Sequence, residues 1–111
     1  MAVISNLSVD QGATFTAEVA VSDTNGDILD LTGYTAEGQI RKTYTSSTSI
    51  AFTAAIESPA SGNVNISLSA AQTGAMKPGR YVYDVEITND GGTTVTRILE
   101  GQVEVTPSVT R

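Results

Sequence analysis

The chain has 111 residues and a net charge of −6, and it contains no Cys, no His and no Trp. These absences exclude a disulfide framework and a thiolate metal site, and they remove the commonest general base at neutral pH. The negative charge disfavours contact with nucleic acid, and no apolar run has the length of a signal peptide or a membrane span. We therefore expect one domain, made in the cytoplasm, that binds neither nucleic acid nor membrane.

Apolar and polar residues alternate with a period of two along most of the chain, which is typical of strands with one buried face. Turn residues separate these stretches about every ten residues. The predicted strands, in chain order, cover residues 7–9, 13–22, 34–44, 51–57, 64–68, 79–87 and 93–106.

Between the strands, several local signals predict the connections. Asn25-Gly26 and the run Asn89–Gly92 are strong hairpin signals. Ser69 followed by Gln72 has the spacing of a capping box, so one short helical turn is expected there. Gly38, inside a predicted strand, indicates a bulge or the close approach of another part of the chain.

The best-defined strand is Gly79–Ile87. Its inward row holds two tyrosines, which we expect to pack in the core. Its outward row holds Asp84 and Glu86, which we interpret as a solvated face paired with Arg97 or Arg41 rather than as a catalytic pair. In the last strand, Arg97 interrupts the apolar row; we expect it to mark an edge where that row leaves the core, with a salt bridge to a partner subunit as the alternative.

Together these stretches predict an all-β fold, an immunoglobulin-like antiparallel β-sandwich of about seven strands with one short helical turn. The single domain spans residues 1–111, with short terminal arms at about 1–6 and 107–111. The pattern does not determine which strands cross between the two sheets. The absence of His and Cys, with carboxylates scattered on strands, predicts that the protein is not an enzyme and has no cofactor.

A weak calcium candidate lies at Asp23, Asn25 and Asp27, which have the D-x-N-x-D beginning of a calcium loop. The loop pattern also requires Gly at its sixth position and Glu at its twelfth, where this chain has Ile28 and Tyr34. A hairpin turn with solubilising acidic residues is the favoured interpretation.

Five phrases in this order resemble small virion structural proteins of tailed bacteriophages, of the marine and cyanobacterial phage type. They are DLTGY at 30–34, QIRK at 39–42, LSAAQT at 68–73, GRYVYDV at 79–85 and VTPSVTR at 105–111. The chain is also similar to the N-terminal β-sandwich domain of phage upper baseplate proteins. Those proteins continue into a long C-terminal region, so we expect any receptor-binding or fibre module to be a separate chain or absent.

The resemblance implies a structural, non-catalytic role in the virion, with other virion proteins as partners. We expect a capsid decoration or cement subunit, present in many copies and open to self-association. A tail or baseplate adaptor is the alternative, and a carbohydrate-binding surface module using exposed tyrosines is a further one. The residues predicted to contact partners lie in the two arms, at Val3, Ile4, Pro107, Val109 and Arg111.

Overall fold

A computed structural model describes residues 3–22, 26–56 and 58–109. Within them the chain forms nine strands, a 3₁₀ turn at Pro59–Ser61 and one short helix, α1, at Ala70–Gly74. The strands are β1 Val3–Ile4, β2 Leu7–Asp10, β3 Phe15–Ala20, β4 Thr35–Arg41, β5 Ile50–Ala51, β6 Thr53–Ala55, β7 Asn63–Leu68, β8 Gly79–Thr88 and β9 Val95–Thr106.

The strands form two sheets that pack face to face. The large sheet has six strands in the order β1-β9-β8-β4-β5, with β2 also beside β9, and the small sheet has the order β3-β7-β6. The predicted all-β sandwich is therefore confirmed. The arrangement is not wholly antiparallel, because β1 and β2 both run parallel to β9.

The core lies between the inner faces, where the alternation predicted it. The inward rows of β7 and β8 are almost fully buried, as in Val64, Ile66, Val85 and Ile87. The Phe52 ring packs edge-on against the Tyr83 ring, with 6.0 Å between their centroids. Tyr83 is therefore a core residue, as predicted.

A β-bulge in β9 explains the irregular row around Arg97. Val85 on β8 pairs with Leu99, but the next residue, Glu86, pairs with Arg97, so Ile98 has no partner of its own. Ile98 and Leu99 are consequently both buried, and Arg97 points to the outer face. The predicted row does leave the core at Arg97, since Val95 is 57% exposed. The assignment of Arg97 to the inward row was wrong, because one extra residue reverses the alternation.

The predicted single strand at 51–57 is two strands in different sheets. β5 pairs with β4 in the large sheet, whereas β6 pairs with β7 in the small sheet. The change occurs at Phe52, whose backbone N–H donates to the Gly38 carbonyl at 2.9 Å. Gly38 lies under the Phe52 ring and has no room for a Cβ, as the predicted close approach required.

Residues 3–6 lie along the large sheet, whereas the sequence predicted a terminal arm at about 1–6; Met1 and Ala2 lie outside the described residues. The Ser5 N–H donates to the Glu100 carbonyl at 2.8 Å, and the Tyr83 hydroxyl donates to the Ser5 carbonyl at 2.6 Å. Gly101 lies directly beneath this crossing, where a Cβ would overlap the Ser5 carbonyl oxygen. The long-range contact with β9, which the local sequence pattern does not encode, holds the segment in place.

The predicted capping box is present at α1. Ser69 Oγ accepts from the Gln72 N–H at 3.1 Å, and the Gln72 side chain accepts from the Ser69 N–H at 2.9 Å. On the inner side of α1, the fully buried Thr73 hydroxyl donates to the Ala13 carbonyl at 2.8 Å. This bond ties the helix to the connection between β2 and β3, so α1 positions the start of β3.

Candidate functional site

The outer face of the large sheet carries most of the charged side chains that sequence analysis singled out. Three rows run across β4, β8 and β9: Glu37–Glu86–Arg97, Gln39–Asp84–Glu100 and Arg41–Val82–Gln102. Acidic residues predominate in the first two rows. This face therefore favours a basic partner over an acidic one.

Arg97 lies at the β9 end of the first row and faces two carboxylates. Its Nε lies 3.3 Å from Asp84 Oδ2, and its Nη1 lies 3.9 Å from Glu100 Oε2. The predicted pairing of Asp84 with Arg97 is confirmed. Arg97 meets carboxylates of its own chain here, and the predicted alternative of a salt bridge to a partner subunit stays untested. Because these side chains are partly exposed, each ion pair contributes only about 0–1 kcal/mol to stability.

A shallow open depression of about 270 Å³ lies on this face beside Tyr44 and Val82. Arg41 also lines it, and the Arg41 guanidinium donates to the Ser46 carbonyl at 2.6 Å and to Gln39 Oε1 at 2.9 Å. The depression combines an apolar wall with carboxylates, an arrangement suited to a long basic side chain.

The four tyrosines do not form a flat aromatic platform. Tyr44 is 79% exposed, as expected for a residue beyond the end of a strand. Tyr83 is buried, Tyr34 is half-buried, and Lys42 Nζ lies 4.7 Å from the centroid of the half-buried Tyr81 ring. One isolated exposed ring offers limited area for stacking on a sugar.

The predicted partner contacts in the arms have different surroundings. The backbone of Val3 pairs with Leu99 in β1, and the neighbouring Ile4 side chain is 77% exposed. Pro107 is exposed and Val109 is 94% exposed, whereas Arg111 lies outside the described residues. The exposed apolar side chains are accessible to another protein, and their contacts with a partner stay a prediction.

The calcium hypothesis is also untested, because Asp23 and Asn25 lie outside the described residues. Ser22 and Ile28 form an antiparallel bridge around this stretch, as the predicted hairpin requires. Across 3–22, 26–56 and 58–109, no three acidic side chains are grouped so that they could hold a metal ion. In that same part of the chain, no helix has the length and apolarity needed to cross a membrane.

Sequence reasoning missed the exposed edge of the small sheet. β3 lies at the end of that sheet, and its inward side chains Phe15, Ala17 and Val19 are only partly buried. Their alternation was visible in the sequence. Their position at an edge depends on which strands pair, and the local pattern does not contain that information.

Comparisons with known proteins bear on the fold. No protein family and no curated protein sequence matches the chain. Among solved structures, it is similar to InlP of Listeria monocytogenes, with a TM-score of 0.50 and 16% identity, over 92% of this chain and 26% of that one. It is also similar to the Lin-41 filamin domain, with a TM-score of 0.51 and 16% identity, over 89% of this chain and 82% of that one.

The chain thus spans about a quarter of InlP and most of the filamin domain. Identities this low carry information on fold and not on activity. The likeness to the filamin domain agrees with the two packed sheets described above. The chain is an immunoglobulin-like β-sandwich.

Proposed function

We propose that this chain is a non-enzymatic structural protein of a tailed-phage virion, where it binds other virion proteins. The observation that carries the proposal is the ordered set of five phrases that resemble such proteins along nearly the whole chain. Capsid decoration is the favoured role because a small compact domain suits a surface-bound subunit. A tail or baseplate adaptor is the alternative.

Three of the phrases occupy positions that determine the fold. In DLTGY, Asp30 Oδ1 accepts from the Thr32 N–H at 3.0 Å and from its hydroxyl at 2.6 Å, which orders the turn around the fully buried Leu31. The phrase at 68–73 forms the capping box, and the phrase at 79–85 forms the start of β8. The resemblance therefore concerns the scaffold, and a shared scaffold is compatible with a shared structural role.

The chemistry of the described surface supports a binding role. Asp84 and Glu100 are partly exposed and face Arg97, and no histidine or cysteine accompanies them. Such a surface can attract a basic partner but offers no activated nucleophile. A carbohydrate-binding module is weaker as a function because Tyr44 is the one strongly exposed aromatic side chain of the described residues.

Immunogold labelling of purified particles, with antibodies raised against this chain, tests the proposal. Gold over the head supports capsid decoration, and gold over the tail or its tip supports the adaptor role. Antibody against the major capsid protein serves as the positive control. Absence of the chain from gradient-purified particles, checked by mass spectrometry, would contradict the proposal.

A further inference from the structure

β3 is the longest edge of the small sheet. It pairs with β7 over all six of its residues, from Phe15 opposite Leu68 to Ala20 opposite Asn63. Among the described residues no strand pairs with its other side. An edge of this length presents unpaired backbone groups to any extended chain that approaches it.

The register shows which backbone groups are available. The Val21 N–H donates to the Gly62 carbonyl at 2.7 Å, one step beyond the last residue pair of β3 and β7. Hydrogen-bonded and non-hydrogen-bonded pairs alternate along antiparallel strands, so the odd-numbered residues of β3 bond to β7. The N–H and C=O groups of Thr16, Glu18 and Ala20 therefore point away from the sheet.

The side chains along the same edge are also incompletely covered. Phe15 and Val19 face the core but remain partly exposed, whereas their opposite residues on β7, Leu68 and Val64, are at most 1% exposed. The gap between the two sheets thus opens to solvent along β3. A strand added here would bring every second side chain over this opening.

The negative charge of Glu18 indicates that the residue opposite it on an added strand is basic. It lies at the middle of the outward row, flanked by Thr16 and Ala20. The residue opposite it on an added strand would have its Cβ about 4.5–5.5 Å away, where Lys or Arg is favourable and an acid is not.

This charge argues against a second copy of the chain as the occupant. A symmetric pair of β3 strands that uses all three available residues is centred on Glu18 and places Glu18 against Glu18. Both copies would also carry a net charge of −6. An extended segment of another protein avoids this repulsion.

We propose that the open edge of β3 binds an extended segment of another virion protein, which adds a strand to the small sheet. The segment carries apolar residues at alternate positions, and a Lys or Arg opposite Glu18. The inference rests on the proposed function, since it identifies the surface and the partner chemistry of that same role.

Glu18→Pro should block strand addition at the β3 edge with little effect on the fold. Proline removes an N–H that points away from β7 and adds its ring on the free side, a position where edge strands tolerate proline. Glu18→Thr is the matched control, because it removes the charge and keeps the N–H. Circular dichroism and thermal unfolding of both variants establish that they are folded.

Incorporation is measured by expressing wild type and variant together during infection and quantifying both in purified particles by mass spectrometry. We expect Glu18→Pro to be incorporated about tenfold less than wild type or worse, and Glu18→Thr only a few-fold less. Equal incorporation of Glu18→Pro and wild type would overturn the edge proposal while leaving the virion role intact. Wild type missing from particles would overturn the virion role itself.

Amide hydrogen exchange of the wild-type chain provides a second test. In the isolated chain, the amides of Thr16, Glu18 and Ala20 should exchange rapidly, while those of Ala17 and Val19 are protected by β7. In particles all five should be protected. Rapid exchange at Glu18 in particles would contradict strand addition, and a dimer of the isolated chain that Glu18→Pro abolishes would assign the edge to self-association instead.

Discussion

Replacing Gly101 by Ala should detach the N-terminal segment at residues 5–6 from the large sheet and destabilise the protein. Gly101 has a φ of 156°, which side-chain-bearing residues rarely adopt, and an added Cβ would overlap the Ser5 carbonyl oxygen and lie 3.2 Å from Asn6 Oδ1. The clash is with backbone, so no side-chain rotation relieves it. Residues 5–6 must move away from β9.

The cost follows from the bonds that this movement breaks. Ser5 loses its N–H bond to Glu100 and the hydroxyl bond from Tyr83, and Asn6 loses its bond from the Gln102 N–H at 3.1 Å. At about 0.5–1.5 kcal/mol for each hydrogen bond, we expect a loss of about 3 kcal/mol in the free energy of unfolding. Any strain remaining at the new residue adds to this loss.

Urea unfolding followed by circular dichroism measures the loss. With a slope of about 1–3 kcal/mol/M, the midpoint should fall by roughly 1–3 M. Gly92→Ala is the matched control, because Gly92 also has a positive φ, of 70°, but nothing lies within 4 Å of an added Cβ. Gly92→Ala should cost about 1–2 kcal/mol through the backbone alone. If both variants unfold at the same urea concentration, the N-terminal segment contributes nothing to the sandwich and the reasoning is refuted.

Three further substitutions test individual contacts. Thr73→Val should lower the free energy of unfolding by about 1–3 kcal/mol, measured by urea unfolding, because it removes the buried hydroxyl that donates to the Ala13 carbonyl and accepts from the Gly12 N–H. The side-chain and backbone hydrogen bonds from Thr32 lower the pKa of Asp30, so an NMR titration should place this pKa below its ordinary value and Thr32→Val should raise it. Burial raises the pKa of Tyr83 in the folded protein, and its hydrogen bond to Ser5 opposes this effect. The neutral hydroxyl therefore stabilises the folded state below about pH 10, the ordinary pKa of tyrosine. This stabilisation is lost as the pH rises through the higher pKa of the folded state. The stability difference between wild type and Tyr83→Phe, measured from pH 7 upward, should therefore shrink above about pH 10; a difference that is independent of pH would contradict this assignment.

The strands with strict alternation were predictable from the sequence. On β7 and β8 the inward rows were assigned correctly, because each strand has neighbours on both sides and one buried face. The capping box at Ser69 was equally accessible, since both of its hydrogen bonds lie within four consecutive residues. Local patterns determine these features.

The features that sequence reasoning missed depend on contacts between distant parts of the chain. The bulge at Ile98 is defined only by its register against β8. The change of sheet at Phe52 preserves the alternation of apolar and polar residues. A strand that switches sheets therefore has the same sequence pattern as a strand that stays in one sheet. The parallel pairing of β1 with β9 joins residues almost 100 positions apart, and nothing in the first residues specifies it.

The open edge at β3 belongs to the same group. Phe15, Ala17 and Val19 have the alternation of an inward row, which indicates burial. They remain partly exposed because no strand covers that side of β3 among the described residues. The candidate binding surface therefore follows from topology and not from a motif.

An electron cryomicroscopy reconstruction of the intact particle, at a resolution that separates strands, would show directly whether a neighbouring protein completes the small sheet at β3. We predict copies of the sandwich on the particle, each with an extended segment of a neighbouring protein alongside Phe15–Ala20 and a basic side chain near Glu18. A particle that contains no copy of the sandwich, or copies whose β3 edge faces only solvent, would contradict this prediction.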